Sequence, residues 1–116
     1  MKTIILDTSF LLDCIKFKID FISEFERICN FNYKLAVIDQ TLDELKDKKN
    51  SKLALKLVEK FEIIKTKKDN IVDNLILDTV DENYVVATED QALKRRLKEK
   101  NIQTITIRQK HFLILV

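Results

Sequence analysis

Short apolar runs alternate with amphipathic stretches along the chain, a pattern that predicts strands alternating with helices. The apolar runs have the length of buried parallel strands, and helical periodicity fills the segments between them. The runs are residues 2–6, 35–38, 61–64, 84–88 and 102–107, with 112–116 as a candidate for one more. The predicted fold class is therefore α/β: a three-layer α/β/α sandwich around a central, mostly parallel sheet of about five strands.

The segments between the apolar runs predict a series of helices. They follow Asp7, cover 20–29, start at Asp39 or Thr41, cover 53–61, run from 69 to 80, and cover 88–100. The sequence contains neither Gly nor Pro, so it has no Gly-rich phosphate-binding loop. Asn is then the residue expected in left-handed backbone conformations at the ends of elements. The candidates are Asn30, Asn32, Asn50, Asn83 and Asn101.

Length and composition describe one globular domain. The 116 residues are 46% hydrophobic and 34% charged, which suits a single domain over residues 1–116. No apolar run reaches the roughly 18–20 residues of a membrane span, and Asp7 interrupts the N-terminal run too early for a secretory signal. Cys14 and Cys29 lack metal-site spacing and are expected to be buried thiols. We therefore expect a soluble, cytoplasmic protein without membrane contact.

Four acidic residues fall where a parallel sheet would place a functional site. In open α/β sheets that site lies beyond the carboxyl ends of the strands. Asp7 ends the first apolar run, Asp90 follows the 84–88 run, and Glu44 lies in the helix after the second run. Asp73 lies in the first turns of the helix that precedes the 84–88 run, so the alternation fixes its place less directly.

Carboxylates that share one edge of a sheet predict a divalent cation. Like charges a few ångströms apart raise one another's pKa, and a hard cation relieves the repulsion. Oxygen ligands without His or Cys suit Mg²⁺ or Mn²⁺, which can activate water and neutralise charge on a phosphodiester. Each acid also has a simpler interpretation as a helix-start residue. These are Asp7 as a cap, Glu44 in a capping box with Thr41, Asp90 in a box opened by Thr88, and Asp73 beside the helix dipole.

Several stretches resemble, in order and over essentially the whole chain, the motifs of PIN-domain nucleases. They are 4–12 (IILDTSFLL), 37–45 (VIDQTLDEL), 72–77 (VDNLIL), 85–93 (VVATEDQAL) and 97–108. The resemblance implies a catalytic, metal-binding cluster with supporting hydroxyl groups. The acids of that cluster are Asp7, Glu44, Asp73 and Asp90, and the hydroxyls are Thr8, Ser9 and Thr88. Two positions depart from the family pattern: Asn74, where relatives often have a second Asp, and Glu89, where a small or neutral residue is common.

The resemblance implies a divalent-metal-dependent endoribonuclease that uses Mg²⁺ or Mn²⁺ and leaves 5′-phosphate and 3′-hydroxyl ends. The chain is most similar to the FCF-type branch of archaea and eukaryotes, which implies a role in ribosomal RNA processing. Two alternatives stay open. One is a VapC-type toxin ribonuclease with an antitoxin partner. The other is a non-catalytic RNA-binding ribosome-assembly factor, which the departures at Asn74 and Glu89 favour.

The basic residues predict RNA contacts only through their positions. The net charge of +2 is too small to indicate nucleic-acid binding by itself. Clusters of Lys and Arg follow Glu44 and Asp90, and phosphate contacts are predicted for Arg95, Arg96 and Lys46. The alternative for each cluster is a solvated, ion-paired surface. His111 has no acidic partner in a motif and is expected on the surface. A second copy of the chain, in a homodimer, is a further candidate partner.

Overall fold

The computed structural model describes residues 1–49 and 51–116, in which strands and helices alternate as predicted. The strands are β1 (Lys2–Leu6), β2 (Tyr33–Ile38), β3 (Glu62–Ile64), β4 (Tyr84–Ala87), β5 (Gln103–Arg108) and β6 (Phe112–Leu115). The helices are α1 (Thr8–Lys16), α2 (Phe21–Ile28), α3 (Asp39–Lys46), α4 (Lys52–Val58), α5 (Val72–Thr79) and α6 (Gln91–Glu99).

One mostly parallel sheet runs through the described residues in the order β3-β2-β1-β4-β5-β6. All neighbouring strands are parallel except β5 and β6, which pair antiparallel. The predicted α/β fold class is confirmed, but the sheet has six strands rather than about five. The additional strand forms because the turn after Arg108 places Gln109 and Lys110 in left-handed conformations and returns the chain along β5.

Side chains alternate between the two faces of the sheet and build a core on each. On one face Ile4, Val85 and Ile105 pack beneath α1–α4. On the other face Ile5 and Val86 pack beneath α5 and α6. Because β1 and β4 are buried on both faces, they read as continuous apolar runs in the sequence, and the sandwich has the three predicted layers.

Both predicted capping boxes are wrong. Helix α3 begins at Asp39, so Thr41 lies inside it and its buried hydroxyl has no hydrogen-bond partner in the described residues. Helix α6 begins at Gln91, and its N-cap is Asp90, which accepts a hydrogen bond from the Leu93 N–H. Helix α3 thus begins at the earlier of its two predicted starts, two residues before Thr41, whereas the N-cap of α6 lies two residues after Thr88.

Left-handed backbone is not confined to Asn. Of the four predicted Asn positions in the described residues, Asn101 alone has a positive φ, and Asn50 lies outside those residues. Exposed long side chains occupy the other left-handed positions. These are Lys18, Lys68, Gln109 and Lys110. Each such position costs roughly 1–2 kcal/mol, and without Gly in the sequence the tight connections carry that cost.

Both cysteines are free, but only Cys14 is buried, whereas Cys29 is half-buried. Within residues 1–49 and 51–116, every helix is too short or too polar to pass through a bilayer.

Candidate active site

The sheet changes its winding direction between β1 and β4, and this opens a cleft at their carboxyl ends. The chain continues from β1 to β2 on one side and from β4 to β5 on the other. Leu6 pairs with Ala87, so the next residues, Asp7 and Thr88, emerge side by side. Such a switch point is where α/β sheets bind ligands.

Four predicted acids line a single cavity of about 210 Å³ at this switch point, which we call the acid cavity. Its lining residues are Asp7, Thr8, Ser9, Leu12, Glu44, Lys48, Asp73 and Asp90. The cavity includes Asp73, because α5 begins at the same edge of the sheet at which β1 and β4 end. Segments that are far apart in the sequence therefore deliver carboxylates to one place.

Asp7 is buried, and both of its carboxylate oxygens accept hydrogen bonds. Its Oδ1 accepts from the Thr8 N–H at 2.9 Å, and its Oδ2 accepts from Ser9 Oγ at 2.9 Å and from Thr88 Oγ1 at 2.7 Å. Burial raises the pKa of Asp7, with a further contribution from the charge of Glu44, while the three hydrogen bonds oppose the rise. The net pKa is raised, so desolvation outweighs the donors.

The predicted hydroxyl residues connect the acids to one another. Thr8 Oγ1 donates to Glu44 Oε1 at 2.6 Å and so ties α1 to α3. Thr88 Oγ1, which donates to Asp7, also accepts from the Asp90 N–H at 3.1 Å. These hydroxyls therefore restrain the carboxylates of Asp7 and Glu44 and the backbone of Asp90, which belong to different segments.

Asp73 lies among the other acids and has a raised pKa. Its pKa is raised from 3.8 to about 6, first by burial and then by the charges of Asp7 and Asp90. A hydrogen bond with Asp90 and the charge of Glu44 raise the pKa further. In the described residues no Lys or Arg nitrogen lies within 4.0 Å of any of these four carboxylates. In the described part of the chain no ion pair therefore offsets this negative charge, although the Lys48 side chain also lines the cavity.

The donor set fits a hard divalent cation by its chemistry. The acids and hydroxyls offer only oxygen, and a cation would offset the burial and the neighbouring negative charges that raise the Asp73 pKa. As they stand, no three carboxylate, imidazole or thiol groups in residues 1–49 and 51–116 converge enough to hold an ion. Ion binding would therefore require the carboxylate side chains to turn toward a common point.

The two departures from the family pattern point away from the acid cavity. Asn74 Oδ1 accepts from Arg96 at 2.9 Å, and Asn74 Nδ2 donates to Asn70. Glu89 Oε2 accepts from Thr106 Oγ1 at 2.6 Å and from the Ile107 N–H at 2.9 Å, on strand β5. Neither side chain lines the cavity.

One cation of the predicted Lys cluster after Glu44 lines the acid cavity, but the three residues predicted to contact phosphate do not. Lys48 lines the acid cavity, whereas Arg95, Arg96 and Lys46 do not. The signal for Lys48 is its place in the sequence, four residues after Glu44 and two residues beyond the end of α3. Lys46 instead lines a separate apolar groove, and His111 is exposed in the turn before β6.

The chain belongs to the PIN-like domain family. A family model described as a PIN like domain matches residues 4–110. With the topology and the switch-point cavity, this match confirms the predicted family and its α/β fold.

Two relatives extend over nearly the whole chain. Ribonuclease VapC4 of Methanocaldococcus jannaschii is 32% identical over 125 aligned residues, which cover 97% of this chain and 95% of that protein. The structure of the PIN domain endonuclease Utp24 matches with a TM-score of 0.87 at 25% identity, covering 97% of this chain and 90% of the other.

Proposed function

We propose that this protein is a divalent-metal-dependent endoribonuclease that hydrolyses RNA phosphodiester bonds. One observation carries the proposal: four carboxylates from separate segments share the acid cavity without an ion-pair partner in the described residues. A polyanion such as RNA is repelled from such a cavity unless cations offset the negative charge. Two similar proteins carry the names ribonuclease and endonuclease, which supports cleavage as the reaction.

Asp7, Glu44, Asp73 and Asp90 are the residues that would hold Mg²⁺ or Mn²⁺. When bound, the ion would supply an activated water nucleophile and neutralise charge that develops on the phosphodiester. Asp73 retains a proton up to a pH of about 6, so ion binding near that pH would release a proton.

The neighbouring residues have positioning roles in this proposal. Ser9 and Thr88 both donate to Oδ2 of Asp7 and so restrain the rotation of its carboxylate. Thr8 does the same for Glu44 through Oε1. Lys48, on the rim of the acid cavity, is suited to hold a phosphate of the RNA beside the acids.

The RNA substrate is proposed from family likeness. The resemblance to the FCF-type branch supports ribosomal RNA as the substrate and ribosomal RNA processing as the role. The match to a protein named Ribonuclease VapC4 favours the toxin alternative, in which an antitoxin would be a partner. Expression of the intact chain in a host cell separates the two, because a toxin arrests growth and a processing enzyme does not. A cytoplasmic location and a homodimer stay predictions.

The non-catalytic alternative rested on Asn74 and Glu89. Both side chains form hydrogen bonds outside the acid cavity, so neither removes a ligand from it nor adds a charge to it. This weakens the motive for a binding-only role and favours the enzyme.

Cleavage of an end-labelled RNA in the presence of Mn²⁺, Mg²⁺ or EDTA tests the proposal. The informative variant is Asp90→Asn, because Asn keeps the oxygen that caps α6 and removes only the charge. Its matched control is Asp20→Asn, an N-cap on α2 at the exposed surface. We expect cleavage by the unaltered protein and by Asp20→Asn, and a loss of about 100-fold or more in Asp90→Asn.

The chemical ends of the RNA products and the effect of EDTA test the mechanism. Ends with 5′-phosphate and 3′-hydroxyl, and complete inhibition by EDTA, agree with metal-assisted hydrolysis. Cleavage that persists in EDTA and in Asp90→Asn would contradict the proposal.

A further inference from the structure

A second, larger cavity lies between α6 and the last hairpin of the sheet. Its volume is about 500 Å³, and its surface is mostly apolar. We call it the α6 groove, bounded by Lys94, Arg95 and Lys98 on the helix and by Ile114 and Val116 on the hairpin side. The α6 groove shares none of its lining residues with the acid cavity.

The α6 groove exists because helices cover the two faces of the β5–β6 hairpin unequally. On one face Ile105 and Leu113 are completely buried in the core under α1–α4. On the other face Ile114 is only half-buried and Val116 is 66% exposed. Helix α6 covers part of β5, so an aliphatic strip of the sheet is left open to solvent beside it.

Positive charge surrounds this aliphatic strip. Lys94, Arg95, Lys98 and Arg108 line the groove, and in the described part of the chain no acidic side chain does. Lys94 lies 3.8 Å from Glu89, while the structure gives the other three no carboxylate within 4.0 Å in residues 1–49 and 51–116. Cations that lack partners around an apolar floor are complementary to a ligand with negative and aliphatic groups.

We propose that the α6 groove docks an acidic segment of a partner protein through its carboxylates and aliphatic side chains. The carboxylates of the segment would pair with Arg95 and Lys98, which stand one helical turn apart on the same face of α6. Its aliphatic side chains would cover Ile114 and Val116. The volume is within the range of about 300–1,000 Å³ typical of ligand pockets, so the groove can accept several side chains.

The floor of the groove favours a polypeptide over RNA. Surfaces that bind single-stranded nucleic acid combine basic residues with aromatic rings on which bases stack. No aromatic residue lines the α6 groove among the residues described; its apolar surface comes from Ile102, Ile114 and Val116. Arg96, which would extend a basic track, turns to Asn74 on α5 instead.

Selection from a random library of short displayed peptides tests this proposal with the intact protein as bait. We expect the selected peptides to be rich in Asp or Glu together with Leu, Ile or Val. Fluorescence anisotropy then measures the affinity of the synthetic peptides. The double substitution Arg95→Glu with Lys98→Glu should weaken binding about tenfold or more. The matched control is Lys52→Glu with Lys56→Glu, the same charge change on exposed α4, which should leave the affinity unchanged.

A second variant tests the floor of the groove. Ile114→Ser is expected to weaken peptide binding several-fold, and unfolding curves establish whether that variant folds. The charge-reversed variant carries the test if Ile114→Ser does not fold, because Arg95 and Lys98 are exposed. The proposal is overturned if no selected peptide responds to charge reversal. It is also overturned if a thymidine oligonucleotide, but no peptide, loses affinity in the Arg95 and Lys98 variant, because the groove would then be a nucleic-acid surface.

Discussion

The acid cavity and the α6 groove meet at the first turn of α6, where Asp90 lines one and Gln91 lines the other. They carry opposite charge and are built in opposite ways. In the acid cavity, hydrogen bonds from distant parts of the chain hold Asp7 and Glu44 in place. In the α6 groove, exposed cations such as Arg95 stand on an aliphatic floor.

This contrast shows where charge is costly. Partial burial and the nearby charges of Asp7 and Asp90 raise the pKa of Asp73 to about 6, so its charged form costs stability. Exposed cations remain hydrated and add little strain. We therefore expect a single substitution of an acid in this cavity to have a large effect on activity, and its effect on stability to differ in direction from its effect on activity. Substitutions of exposed cations should have small, graded effects.

The largest expected effect is that of Asp73→Asn on RNA cleavage. Removal of this carboxylate should lower the cleavage rate by about 100-fold or more, because the cavity loses a charged oxygen. The same change should leave the free energy of unfolding unchanged or increase it, since the amide has no charge to desolvate and is not repelled by Asp7 and Asp90. Asp78→Asn, an exposed position on α5, is the control and should alter neither quantity. A lower free energy of unfolding in Asp73→Asn than in the unaltered protein would contradict this explanation of the Asp73 pKa.

The next effect concerns two buried threonines that differ in their partners. Thr88→Val removes the donor to Asp7 and the acceptor for the Asp90 N–H, so we expect a loss of about 1–3 kcal/mol in unfolding free energy and slower cleavage. Thr41→Val makes the same chemical change where the hydroxyl has no partner in the described residues. It should leave stability unchanged or raise it. Urea unfolding measures both; equal losses would show that the hydrogen bonds of Thr88 carry no particular weight.

The pH dependence of stability should follow Asp73. Its pKa in the folded protein, about 6, is above its ordinary value of 3.8, so the folded state holds the proton more tightly than the unfolded state. The contribution of Asp73 to stability is then fully present below a pH of about 4 and is lost as the pH rises through about 6. Urea unfolding of the metal-free protein should show this decline, and Asp73→Asn should reduce it. A difference between the two proteins that is independent of pH would refute the assignment.

The smallest effect should come from the cation on the rim of the acid cavity. Lys48→Ala should weaken RNA binding in EDTA by a few-fold, as expected for the loss of one phosphate contact. The slope of the logarithm of the binding constant against the logarithm of salt concentration should fall by about one. Lys49→Ala changes the neighbouring exposed residue, which does not line the cavity, and should have less effect. Binding measured by anisotropy at several salt concentrations compares them; identical behaviour would remove Lys48 from the site.

The sequence predicted most of the fold and the location of the acids, for physical reasons. Parallel strands are buried on both faces, so β1 and β4 stand out as apolar runs, and the residues that follow them must meet at one edge. This placed Asp7 and Asp90 in advance. Alternation alone could not place Asp73, because the start of α5 depends on the path of the chain after β3.

Other features depend on tertiary contacts that no local pattern contains. The direction of Glu89 toward Thr106 and Ile107 is set by β5, and its charge therefore does not enter the acid cavity. Likewise, Lys18 and Lys68 adopt a left-handed backbone conformation because of the path of the chain between elements, although Asn is more common in this conformation. The α6 groove was not predicted, because its floor depends on β6 extending the sheet beyond the cover of α6.

Calorimetric titration with Mn²⁺ of the unaltered protein, Asp73→Asn and Asp78→Asn tests the central claim most directly. If the acid cavity is a divalent-cation site, the unaltered protein and Asp78→Asn bind Mn²⁺ with equal affinity, and Asp73→Asn binds at least about tenfold more weakly. Equal affinity in all three proteins, or no binding up to about millimolar Mn²⁺, would contradict it.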